Sequence, residues 1–180
     1  ETKEIDYTDY TPKLQKLARQ TGEYAQVLFN LKKCVFCDLR EKYLITEKDG
    51  VVLTVNLFPY INGHLLLIPR RHILKLSEMT GLEWAAVKDL FDIGRSLLAK
   101  AYGFKDVNLI YREGERAGKT VWHLHFNLFP YDSKLIEWKY REITKEPLEV
   151  AEELRTIFPK RSLLPRKERP LKKRLYGISI

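Results

Sequence analysis

One stretch constrains the fold of this chain more than any other: Thr120-Val121-Trp122-His123-Leu124-His125-Phe126-Asn127. Its strict apolar/polar alternation has the period of a half-buried strand and predicts one over residues 120–129. Successive side chains of a strand point to opposite faces. Trp122, Leu124, Phe126 and Leu128 are therefore assigned to the core, and His123, His125 and Asn127 to a row on the other face. Two imidazoles and an amide held in line on a rigid element can position a nucleophile or a metal ligand.

The surrounding pattern supplies a sheet for that strand. Tyr43 to Thr46 and Val51 to Leu57 read as a hairpin around Lys48-Asp49-Gly50, and His64 to Ile68 as a third strand ending at Pro69. Asp106 to Tyr111 is a fourth. Thr80-Gly81-Leu82-Glu83 has the form of a capping box and opens a long helix to about Ala101, with Leu90, Phe91, Leu97 and Leu98 facing inward. A further helix is expected over Leu148 to Ile157, and residues 1–33 read as mostly helical. Hairpins with helices between them give an α+β class with a mainly antiparallel sheet of about five strands and the long helix packed on it. The expected organisation is a helical extension over 1–33, a catalytic domain over 34–158 and a basic tail over 159–180.

Charge narrows the partners. The net charge is +8, yet residues 160–180 carry eight basic side chains and one acid, so the remainder is nearly neutral. Such a tail can contact phosphate-rich ligands, nucleic acid or an acidic surface, although a solvated arm is the commoner outcome. No apolar run reaches the ~18 residues that span a bilayer. The polar N-terminus does not read as a secretory signal, and a cytoplasmic location with no membrane partner is expected.

Four histidines and two cysteines carry the remaining chemistry: Cys34 and Cys37 in a C-x-x-C, His64 after a glycine, His72 after Pro69-Arg70-Arg71, and the pair His123 and His125. The C-x-x-C admits three readings, a redox pair, half of a zinc site, or two core thiols. A structural disulfide is disfavoured in a cytoplasmic chain, and no βαβ context supports a thioredoxin-like pair. Zinc requires two more ligands, which distant histidines can supply.

Two of these segments together are similar to a known family. Asn56-Leu57-Phe58-Pro59-Tyr60-Ile61-Asn62-Gly63-His64-Leu65-Leu66-Leu67-Ile68-Pro69-Arg70-Arg71-His72 resembles the N-x-x-P-x-x-x-G-H-x-L-φ-φ-P-x-x-H block of the histidine-triad (HIT) superfamily. Gly118 to Pro130 resembles its H-φ-H-φ-H-φ-φ signature. The third triad position is Asn127, not histidine. The galactose-1-phosphate uridylyltransferase and diadenosine tetraphosphate phosphorylase branches carry a glutamine there, so the amide brings this chain nearer to those branches. The resemblance implies a HIT-like fold and, from the uridylyltransferases, a structural zinc held by Cys34, Cys37, His72 and His123.

It also implies a mechanism. The middle histidine, His125, would attack the α-phosphorus of a nucleotide to give a covalent nucleotidyl-histidine, with His123 and Asn127 completing the catalytic group. Attack needs a neutral ring whose other nitrogen donates to a fixed acceptor, such as a backbone carbonyl. An amide can hydrogen-bond but cannot protonate a leaving group, which favours phosphoanhydrides over phosphoramidates. On the substrate side the resemblance points to Asn56, Phe58 (with Leu57) at the base, His64 orienting the triad, and Arg112 at the phosphate chain. Gly118, Lys119 and Thr120 belong to the phosphate-side loop. Arg112 has a plainer alternative, an ion pair with Glu113, and Lys119 that of a solvated loop lysine. The expected activity is a nucleotidyltransferase, or phosphorylase, cleaving dinucleoside polyphosphates or a related adenylyl anhydride with inorganic phosphate as acceptor. The alternatives are a hydrolase of the same substrates and a non-catalytic nucleotide- or nucleic-acid-binding module. A homodimer is the expected assembly, with nucleic acid not favoured as a partner.

Overall fold

Asp49 and Gly50 make the first corner of the sheet. Both take positive φ, 45° and 76°, the conformation of a two-residue type I′ hairpin turn, which asparagine, aspartate and glycine tolerate best. The turn joins β1 (Leu44–Lys48) to β2 (Val51–Val55), with Lys48 opposite Val51. A register shift between Leu44 and Thr46 marks a bulge in β1, an edge strand of the sheet. The computed structural model describes residues 20–21, 34–132, 134–135 and 143–157. The expected helix over 1–33 lies largely outside the described residues, as does the basic tail over 159–180.

Three more strands complete the sheet: β3 (Leu65–Pro69), β4 (Val107–Tyr111) and β5 (Phe126–Pro130). Their order is β1-β2-β3-β5-β4, and every pairing is antiparallel. The class expected from the sequence, α+β with a five-stranded antiparallel sheet, is the one observed. β2 and β3 read as near-continuous apolar runs because both of their faces are covered.

Among the described residues, helix α1 (Gly81–Tyr102) packs on the sheet. Its start is the capping box read from the sequence. Glu83 N–H donates to Thr80 Oγ1 at 3.2 Å, and Thr80 N–H donates to the Glu83 carboxylate at 2.7 Å. It ends at Gly103 in the left-handed conformation, whose N–H bonds to the Ala99 carbonyl. Ala86, Val87, Leu90 and Leu98 pack with Val51, Leu53, Leu65, Leu67, Leu124, Phe126 and Leu128 to form the core. Gly94 lets the helix approach closely, since a Cβ there would lie 2.7 Å from Leu128 Cδ2. Leu97, expected inside, is 40% exposed: on a helical wheel it shares the face of Leu90, but towards its C-terminus the helix is buried along Gly94 and Leu98 instead.

The strand expected over 120–129 is shorter than the alternation suggested. Only Phe126–Pro130 joins the ladder; its partner β3 ends at Pro69 and is paired with β5 over Leu65–Leu67. Residues 120–125 run beside the segment that follows β3 instead, with Leu124 N–H donating to the Ile73 carbonyl at 2.7 Å. Leu124, Phe126 and Leu128 do enter the core, but Trp122 is 52% exposed, because the chain bends at 121–123 and the alternation of faces lapses there. The strand is also buried on both faces, not half-buried.

The described residues fall into two compact units divided between Glu137 and Trp138. The second contains α2 (Pro147–Ile157), the helix expected over Leu148 to Ile157. Pro147 opens it at a position where a missing N–H costs nothing.

Candidate active site

The segment entering β5 carries the nucleophile candidate. His125 is half-buried, and its Nδ1–H donates to the His123 carbonyl at 2.8 Å. That bond fixes the tautomer, so Nε2 keeps its lone pair. Burial pushes the ring's pKa down to about 4, and the positive charges of Lys119 and Arg112 act in the same direction. The imidazole is therefore neutral at neutral pH, as a nitrogen nucleophile must be. The ring of Phe36 stands edge-on to His125, with centroids 5.0 Å apart.

His123 is fully buried, and the Phe36 ring lies against it as well, with centroids 6.0 Å apart. Its Nε2–H donates to the Pro69 carbonyl at 2.8 Å. This leaves the Nδ1 lone pair directed at two sulfurs, 3.4 Å from Cys34 Sγ and 3.7 Å from Cys37 Sγ. His72 Nδ1 lies 3.2 Å from Cys37 Sγ, and the four ligand atoms are all within 4.8 Å of one another. A tetrahedral zinc with Zn–S near 2.3 Å and Zn–N near 2.1 Å sets its ligand atoms roughly 3.3–3.8 Å apart. The cluster offers the donor types that ion takes and the His123 tautomer it needs, with its closest pairs at 3.2 to 3.7 Å, and the Pro69 carbonyl supplies the outer hydrogen bond a ligating histidine needs. Burial and the neighbouring Cys34 raise the Cys37 thiol, so a cation would have to displace its proton.

Asn127 is held from one end only. Tyr60 N–H donates to His64 Nδ1 at 3.1 Å, so the His64 proton sits on Nε2. That Nε2–H donates to Asn127 Oδ1 at 3.1 Å. The Asn127 Nδ2 is buried and has no hydrogen-bond partner among the described residues. His64 is 2% exposed and packs against both Tyr60 and Phe129, with ring centroids at 4.5 and 5.3 Å. Of the other expected residues, Asn56 is committed internally. Its Oδ1 accepts from Phe58 N–H at 2.9 Å, and its Nδ2 is 3.3 Å from each ring nitrogen of His64.

Arg112 does not pair with Glu113. Its guanidinium donates to Tyr60 Oη at 2.9 Å and lies over that ring, while the Glu113 carboxylate takes the Tyr111 hydroxyl and the Leu76 N–H. Lys119 is half-buried, donates to the Leu74 carbonyl at 3.0 Å and lies 6.0 Å from the Trp122 ring. Burial lowers its pKa. Gly118, with φ 71°, and Thr120 are exposed on the same loop, and Phe58 is half-buried. Sequence reasoning missed Phe36 and Tyr60. Both lay inside quoted motifs, but their contacts with His125, His64 and Arg112 are tertiary.

Residues 40–134 match the HIT domain, and the chain belongs to that family. An uncharacterized HIT-like protein of Mycoplasma genitalium is 31% identical over 109 residues, which cover 54% of this chain and 72% of that protein. The adenylylsulfatase HINT3 of Arabidopsis thaliana is 25% identical over 124 residues, covering 67% of this chain and 63% of that protein. The crystal structure of a member of the HIT family from Bacillus subtilis matches with a TM-score of 0.60 at 21% identity, over 70% of this chain and 95% of that one. That likeness is one of fold. No helix among the described residues is long and apolar enough to cross a membrane.

Proposed function

We propose that this protein is a nucleotidyl-transferring enzyme that cleaves dinucleoside polyphosphates, such as diadenosine tetraphosphate, or a related adenylyl anhydride. The observation that carries the reading is His125: a neutral ring, with Nδ1–H tied to the His123 carbonyl and Nε2 left with its lone pair. Nε2 attacks the α-phosphorus, the anhydride oxygen leaves with its bonding electrons, and the nucleotidyl group rests on His125. The ring's growing positive charge is offset by the His123 carbonyl. Inorganic phosphate then takes the nucleotidyl group and restores the imidazole.

Asn127 fits a leaving group that needs no proton. Its Nδ2 can donate to a phosphoryl oxygen, a contribution worth about 3 kcal/mol when a donor is well placed. Arg112 and Lys119 add positive charge on the phosphate side. Cys34, Cys37, His72 and His123 would hold a structural zinc, which ties the C-x-x-C loop to the peptide that carries His125. The amide at position 127 also supports placing this chain near the uridylyltransferase and phosphorylase branches. The adenylylsulfatase among the relatives supports an adenylyl anhydride as donor.

The test is cleavage of diadenosine tetraphosphate with and without phosphate, and of adenylyl sulfate in the same assay. The proposal predicts phosphate-dependent release of ADP. Equal turnover without phosphate, giving AMP, identifies a hydrolase with the same intermediate. Nucleotide binding with no turnover of either donor identifies a binding module. His125→Ala should lower turnover by at least about 1,000-fold while nucleotide binding persists.

A further inference from the structure

Four groups form one continuous chain across the site. The Arg112 guanidinium donates to Tyr60 Oη, Tyr60 N–H to His64 Nδ1, and His64 Nε2–H to Asn127 Oδ1. The chain ends on the Asn127 Nδ2, an amide donor in a residue only 4% exposed, with no partner among the described residues. A buried donor left unmade costs about 1–3 kcal/mol, so the fold keeps a cost here that a ligand oxygen can relieve.

The direction of the chain follows from its middle. A backbone N–H can only donate, so Tyr60 makes His64 Nδ1 accept; the Asn56 NH2 lies 3.3 Å from both ring nitrogens and does not discriminate between them, which leaves the proton on Nε2. A donor at Nε2 must meet an acceptor, so Asn127 presents its carbonyl to His64. The NH2 is thereby fixed on the side away from His64. Were the His64 tautomer reversed, Asn127 would flip and offer its carbonyl to an incoming anion, which would repel it.

We propose that Tyr60 is a positioning residue of this site: its amide sets the His64 tautomer that fixes Asn127 as a donor to a nucleotide's phosphoryl oxygen, and its hydroxyl anchors Arg112 for the same anion. This rests on the nucleotidyl-transfer reading for the identity of the anion. Tyr60 touches no substrate in this scheme. It acts through His64 and Arg112, and it couples the two donors so that one ligand oxygen cluster meets both already oriented.

The experiment is nitrogen-15 NMR of the full chain, reading the imidazole and side-chain amide signals during titration with AMP. Wild type, Tyr60→Phe and Asn127→Asp are compared. In the wild type, His64 should show a protonated Nε2 and a bare Nδ1, and the Asn127 NH2 signals should move as AMP binds. Tyr60→Phe keeps the amide and the ring, so the tautomer should persist while AMP binding weakens about three- to tenfold, the loss of one hydrogen-bond anchor. Asn127→Asp should keep the same tautomer, because Tyr60 and not residue 127 sets it, and weaken AMP binding more than tenfold. A proton on Nδ1 of His64 in the wild type, or wild-type affinity in Tyr60→Phe, overturns the inference. None of these readouts needs turnover. A chain that binds AMP in this way and cleaves no anhydride would defeat the proposed activity and leave the role of Tyr60 standing.

Discussion

On the proposed reading, Asn127 is the single side chain that separates two chemistries. A protonated imidazole can hand its proton to a departing amine, whereas an amide can only stabilise charge through a hydrogen bond. Asn127→His should therefore raise cleavage of an adenylyl phosphoramidate relative to diadenosine tetraphosphate by about 100-fold, the lower end of what general acid catalysis supplies. The measurement is the ratio of kcat/KM for the two substrates, and an unchanged ratio would remove leaving-group selection from Asn127. Gly94 matters for a different physical reason. A Cβ there would meet Leu128 Cδ2 at 2.7 Å, in a core where Leu128 is fully buried. Overpacking costs about 1–3 kcal/mol, and the gain of alanine over glycine in a helix returns about 1. Gly94→Ala should thus destabilise by about 1 kcal/mol in urea unfolding, where the same change at a roomy helical position would stabilise.

At the scale of the element, α1 shows how local signals and long-range contacts divide the work. Thr80 and Glu83 cap the helix through mutual hydrogen bonds, and Arg71 grips the Glu83 carboxylate with two bonds of 2.8 and 2.7 Å. Arg71, first among these, and the Thr80 bonds hold Glu83 down to a pKa of about 2. The folded pKa lies below the unfolded one, so the stabilisation is complete above about pH 4.5 and is lost as pH falls towards 2. Arg71 is half-exposed, so solvent screening reduces the share of that stabilisation that the ion pair supplies. The melting temperature of the wild type should fall across that window, and Glu83→Gln should flatten the fall. The capping box, the Asp49-Gly50 turn and the core side of Phe126 and Leu128 were all legible in the sequence, because each depends on residues close together in the chain. Trp122 and Leu97 were misplaced, because whether a strand finds a ladder partner, or a helix face finds a cover, depends on distant segments. Tyr60 and Phe36 escaped notice for the same reason. Their sequence context marks a loop and a cysteine knuckle, and only the fold brings them against His64 and His125.

For the whole molecule, the cluster of Cys34, Cys37, His72 and His123 joins the segment before β1, the segment after β3 and the approach to β5. A metal there would cross-link parts of the chain almost 90 residues apart in sequence and stabilise by its binding free energy. The full chain should bind one zinc per molecule by metal analysis, and His72→Asn should abolish that stoichiometry. A strong chelator should lower the melting temperature by more than about 5 °C, a shift that a few kcal/mol produces in a domain of this size. The same cluster contains His123, whose carbonyl accepts the His125 Nδ1–H, so on the proposed reading the metal and the nucleophile share one short segment. The most direct test is mass analysis of the protein after brief exposure to diadenosine tetraphosphate without phosphate. The account predicts one adenylyl group on the peptide that contains His125, discharged as ADP when phosphate is added and absent from His125→Ala. Turnover with no adduct at His125, or an adduct that persists in His125→Ala, would contradict it.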